Sequence, residues 1–88
     1  MTTMHELKCW TESFQPIVDG VKKFELRLRD RDYNVDDLLR LREWNPDTGY
    51  TGREVCVIVT WMLTSGFGLP NGYCIMSIDG VPYRLDRS

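Results

Sequence analysis

Residues 22–30, Lys22-Lys23-Phe24-Glu25-Leu26-Arg27-Leu28-Arg29-Asp30, alternate apolar and charged side chains almost without a break. A helix would scatter Phe24, Leu26 and Leu28 around its circumference, whereas a strand sends every second residue to the same face. The segment is predicted as a strand, with the three apolar residues on one face and Lys23, Glu25, Arg27 and Arg29 as an outward row about 7 Å apart. In 88 residues its partners must come from one small core, because the length suffices for a single domain and is too short for two. Hydrophobic residues at 42% and charged residues at 27% place the chain with folded domains, away from the polar, highly charged sequences that stay disordered.

The rest of the chain supplies partners of the same kind. His5-Glu6-Leu7-Lys8-Cys9-Trp10 reads as a first strand, Leu7 and Cys9 inward and Glu6, Lys8 and Trp10 on the other side. A short helix is expected over about 11–19, with Thr11 or Ser13 as cap, Phe14, Ile17 and Val18 as its apolar stripe and Gly20 as its left-handed stop. Pro16 fits only in a first turn, which favours Ser13 as the cap or else a kink. Leu38 to Trp44 is a third strand, Asn45-Pro46-Asp47-Thr48-Gly49 a turn, and Arg53 to Leu63 a return strand. That return strand carries Val55, Val57, Val59 and Trp61 on one side and Cys56, Ile58 and Met62 on the other, so it is expected to be central and covered on both faces. A glycine-rich loop, Gly66 to Gly72, precedes a fifth strand from Tyr73 to Ile78, and residues 80–88 are expected to fray. Five short strands and one early helix predict a mostly β, partly closed small barrel over residues 1–88.

Thirteen acidic against eleven basic residues give a net charge of -2, so the chain as a whole does not attract polyanions. The charge is unevenly distributed: Lys22 to Arg31 holds five positive residues and two negative ones. Such a patch suits phosphate or a polar base edge, although a solvated strand face of weak ion pairs has the same composition. Cys9, Cys56 and Cys74 are odd in number and widely spaced, which points to core thiols rather than disulfides. With His5 the only histidine, no zinc-ligand spacing is present, and neither a metal nor an organic cofactor is expected. No apolar run approaches the roughly 20 residues of a membrane span and no leader pattern opens the chain, so a cytosolic protein is expected. Nothing in the sequence specifies an oligomeric state.

Gly20-Val21-Lys22-Lys23-Phe24-Glu25-Leu26-Arg27 resembles the Gly-x-Lys-x-x-Glu-x-Arg signature of ASCH domains, small β-barrels of the PUA-like superfamily. His5-Glu6-Leu7-Lys8, the helix ending at Gly20, Asp30-Arg31-Asp32-Tyr33, Tyr50-Thr51-Gly52-Arg53 and Gly66-Phe67-Gly68-Leu69 are similar to its small bacterial and bacteriophage branch of unknown function. The chain departs from that branch at Asp36, where a glycine is usual, and at Pro16 within the helix.

The resemblance implies a cleft beside the helix, floored by the signature strand, that binds RNA or a modified nucleoside in a bacterial cell or phage-infected host. Lys22 and Arg27 would donate to phosphate or carbonyl oxygens and Glu25 would accept from a base amine, with Lys8, Lys23, Arg29 and Arg31 as secondary contacts. Trp10, Tyr33 and Tyr73 are candidates to stack on an unpaired base, each of them also a plausible core residue. The chain further resembles, in size and in its Gly-x-Lys motif, an ASCH enzyme that deacetylates acetylcytidine. Of that enzyme's Lys, Thr and Glu set only Lys22 carries over; Glu25 stands at the Thr position and supplies no hydroxyl. Hydrolysis would then need Glu25 as general base and Lys22 or Arg27 at the oxyanion, and flanking cations make Glu25 a weaker base. Binding therefore ranks above hydrolysis. A third expectation is a phage accessory protein that binds a host protein through the Trp44 and Tyr50 hairpin.

Overall fold

The computed structural model describes residues 2–80. In chain order it contains β1 (Met4–Trp10), α1 (Thr11–Val18), β2 (Phe24–Leu28), β3 (Leu38–Asn45), β4 (Gly49–Leu63) and β5 (Tyr73–Gly80). The strands form one sheet in the order β1-β3-β4-β5-β2, with β1 parallel to β3 and every other neighbour antiparallel. The sheet curls until its two edge strands face each other, and the Arg27 Nη2 donates across the gap to the Lys8 carbonyl at 2.7 Å. The result is the expected mostly β, partly closed barrel with one short helix. Gly80 closes β5; the remainder of the tail expected to fray, residues 81–88, lies outside the described residues.

Alternation along the strands builds the interior. Leu7 and Cys9 of β1, Leu39 and Leu41 of β3, Val57 and Val59 of β4, and Cys74, Met76 and Ile78 of β5 all turn inward. The helix packs against β1 and β3 and adds Phe14 and Ile17 to the same cluster.

Two turn positions depend on local chemistry. At the helix end Gly20 adopts φ 79, its N–H donates to the Ile17 carbonyl at 3.0 Å, and the Val21 N–H reaches the Pro16 carbonyl at 3.0 Å. This is the paired closure that a left-handed residue after a helix permits. The Lys22 N–H donates to the same Pro16 carbonyl, so the turn sets where Lys22 enters β2. A Cβ at Gly20 would meet nothing within 4 Å, so Gly20→Ala should cost only the conformational penalty, about 1 kcal/mol. The expected signature is a lower urea midpoint with an unchanged m-value. Asp36 sits at φ 77, a region that aspartate tolerates better than most residues.

The structure corrects several sequence expectations. The helix has no side-chain cap: extended Trp10 precedes it, Ser13 lies within its first turn, and the Thr11 hydroxyl donates to the Trp44 carbonyl instead. Pro16 sits in the second turn, not the first, of a helix only eight residues long. In β4 a bulge at Thr60 breaks the alternation, so Trp61 turns out to solvent, 59% exposed, and Met62 turns in. The strand is central, but Cys56 and Ile58 on its outer side are only half-buried.

The largest correction concerns β2. Its register pairs Glu25 with Met76 and Arg27 with Cys74, both of them core positions. Glu25 and Arg27 therefore face the interior side of the seam, and Phe24, Leu26 and Leu28 turn outward, each about half exposed. Period two separates two faces without saying which is covered. Here the charged face of β2 lies at the open edge of the barrel, where Glu25 is paired with Lys22 and Arg27.

Candidate functional site

The gap between the edges of β1 and β2 holds a cavity of about 470 Å³, lined among others by Lys8, Trp10, Lys22, Glu25, Arg27 and Tyr73. Glu25 is its centre. The residue is 4% exposed, with Oε1 3.5 Å from the Lys22 Nζ and Oε2 3.4 Å from the Arg27 Nη2. Lys22 also donates to the Phe24 carbonyl at 2.9 Å and lies 4.6 Å from the centre of the Phe24 ring. Two cations thus converge on one carboxylate and leave the group with one net positive charge. The long ion-pair distances leave donor capacity on both cations for a further oxygen.

Cys9 lines the same cavity, and burial, reinforced by the Glu25 carboxylate and only partly opposed by Arg27 and Lys22, pushes its thiol up to about 11. It stays protonated at neutral pH and offers no thiolate nucleophile. Among the described residues no group of His, Cys, Asp and Glu is arranged to hold a metal ion, and no helix is long and apolar enough to cross a membrane.

The sequence candidates separate into those at the cavity and those elsewhere. Lys8, Trp10, Lys22, Glu25 and Arg27 come together, and Trp10 is half exposed beside Trp44, with ring centres 4.9 Å apart. Arg31 lies further along the seam, paired with Asp30 at 3.8 Å. Lys23 is at a separate small hollow with Gly20 and Asp79, and Arg29 stands exposed beyond the end of β2. Tyr33 belongs to the core at 2% exposure, its ring packed edge-on to His5, so it presents no face for a base.

Three buried polar residues, two of them on strands, escaped the sequence reading. Glu43, 5% exposed, accepts from the Thr51 hydroxyl at 2.8 Å and lies 3.7 Å from the Arg53 guanidinium. His5, 7% exposed, pairs with Asp37 at 2.8 Å. The two on strands were accessible to alternation: Glu43 continues the inward series Leu39, Leu41, and His5 precedes the inward pair Leu7 and Cys9.

Fold and seam define a small, mostly β protein whose open barrel presents a charged cleft between two strand edges. Residues 4–78 match the family described as a domain of unknown function, DUF3850, and the chain belongs to that family. It is also 37% identical over 60 residues to an uncharacterized 12.9 kDa protein in the GpA 3' region of Escherichia phage P2. That alignment covers 68% of this chain and 54% of the phage protein, so the chain spans about half the length of the relative it matches.

Proposed function

We propose that the seam binds an unpaired nucleotide of RNA or a nucleotide-like ligand. The observation that carries this reading is the convergence of Lys22, Glu25 and Arg27 on one cavity beside a half-exposed tryptophan. Lys22 and Arg27 donate to phosphate or carbonyl oxygens, Glu25 accepts from an exocyclic amine, and Trp10 supplies a stacking face. A volume of about 470 Å³ lies within the range of small-ligand sites. The ASCH-like signature runs from Gly20 to Arg27, the same segment that lines the cavity, which supports placing the ligand there. The phage P2 relative supports a phage-associated setting for such a role.

Titration of isotope-labelled protein with single-stranded RNA should shift the amides of residues 20–31, and affinity should fall as salt rises. Shifts confined to the outer face of β4, or none at millimolar ligand, would remove the proposal. Acetylcytidine deacetylation is the competing reading, and both Glu25 oxygens being held by cations argues against a free general base. Incubation with acetylcytidine and chromatography for cytidine decides between them: turnover that Glu25→Gln abolishes would replace binding by hydrolysis.

A further inference from the structure

We infer that the seam contains two nucleotide subsites in tandem, on either side of the Arg27–Lys8 bridge, so that the ligand is an oligonucleotide step rather than a single nucleotide. The inference rests on the nucleotide reading of the first cavity. A second cavity of about 350 Å³ continues the same seam and shares Lys8, Arg27 and Leu28 with the first. The boundary between them is the Arg27 Nη2 donating to the Lys8 carbonyl at 2.7 Å. Both volumes fall in the range of small-ligand sites.

Each compartment combines an exposed aromatic ring with a cation. The first has Trp10 and Lys22; the second has Tyr50, 48% exposed, and Arg31. Trp10 and Tyr50 are both register partners of Trp44, one from each side, so the sheet holds them in a common row. The Arg42 guanidinium lies 4.1 Å from the centre of the Tyr50 ring, which steadies that ring against the sheet. Of the acidic groups of the second compartment, Glu6 is engaged by Arg40 at 2.8 Å, whereas Asp30 lies 3.8 Å from Arg31, beyond hydrogen-bond distance, so the Arg31 guanidinium keeps its donors. Lys8 and Arg27 are the cations of the shared wall, and the Lys8 ammonium lies 4.0 Å from the centre of the Trp44 ring, between Trp10 and Tyr50 in that row. An extended peptide is the rival occupant, since both walls are strand edges. The repeated pairing of ring and cation favours the nucleic acid.

The test compares CMP, whose base carries the exocyclic amine that Glu25 is to accept from, with the phosphorylated dinucleotide pCpC on the full chain, by tryptophan fluorescence and amide shifts. The dinucleotide should bind about tenfold tighter, a factor that one base–aromatic stack supplies. Its affinity should also fall more steeply with salt, because the linking phosphate adds one screened charge contact. Shifts should extend from residues 20–28 to Arg31 and Tyr50. Tyr50→Ala should bring the two affinities to within about threefold, the loss expected of a missing stack, while Trp61→Ala on the outer face keeps the difference. Equal affinities with shifts confined to residues 20–28 overturn the tandem subsites and leave the first cavity's reading intact. No binding by either nucleotide overturns both, as does an uncharged extended octapeptide that binds the seam more tightly than pCpC.

Discussion

Glu25→Gln should destabilise the protein by about 2 kcal/mol and make nucleotide binding more salt-sensitive, because the seam then carries two uncompensated positive charges instead of one. The amide keeps the shape of the side chain but leaves Lys22 and Arg27 facing the seam with no compensating charge. Removing one partner of a fully buried pair costs about 3–5 kcal/mol. The two cations retain side-chain exposures of 20% and 23%, so water recovers part of that cost. Urea unfolding gives the stability change, and the nucleotide titration repeated across salt concentrations gives the salt dependence. An unchanged midpoint together with an unchanged salt dependence would show that the carboxylate neither holds the seam nor touches the ligand.

A comparable loss, about 3 kcal/mol, is expected for Asp37→Ala. Asp37 is 4% exposed and accepts from the His5 Nε2 at 2.8 Å, the Asn34 N–H at 3.0 Å and the Thr3 N–H at 3.4 Å. Alanine would leave a buried imidazole and two backbone donors short of an acceptor. Burial by itself would raise the carboxyl, but the His5 bond and then the Asn34 and Thr3 donors outweigh it and hold Asp37 below the ordinary aspartate value of 3.8. A folded-state pKa lower than the unfolded one means that this contribution is complete above 3.8 and is lost as pH falls through the folded value. Urea midpoints should therefore separate the wild type from Asp37→Ala widely at neutral pH and less on the acid side of that range. A gap that stays constant into acid would sink the assignment.

Strand positions were legible because alternation is a local property of the chain. Leu7 and Cys9, Leu39 and Leu41, and Val57 and Val59 all turn inward along strands whose alternation marks them out. The candidate site was legible as a run of residues, Gly20 to Arg27, because a left-handed stop followed by alternating charge is a pattern within eight positions. Its direction was not. Exposure of Phe24, Leu26 and Leu28 follows from pairing β2 with β5 at the barrel's open edge, a contact between segments about 50 residues apart. The same holds for Tyr33, which its sequence neighbours left as a candidate stacking residue and which packing against His5 commits to the core.

Period, turn chemistry and the inventory of charged groups were written into the chain: one helix stopped by Gly20, five strands, and a cluster of cations around Glu25. Which face of β2 is covered, that Trp61 leaves the valine row at the Thr60 bulge, and that Lys8 and Arg27 meet across a seam were settled only when the sheet curled. Register and closure are set by the summed packing of distant strands, and no short window of sequence contains that sum.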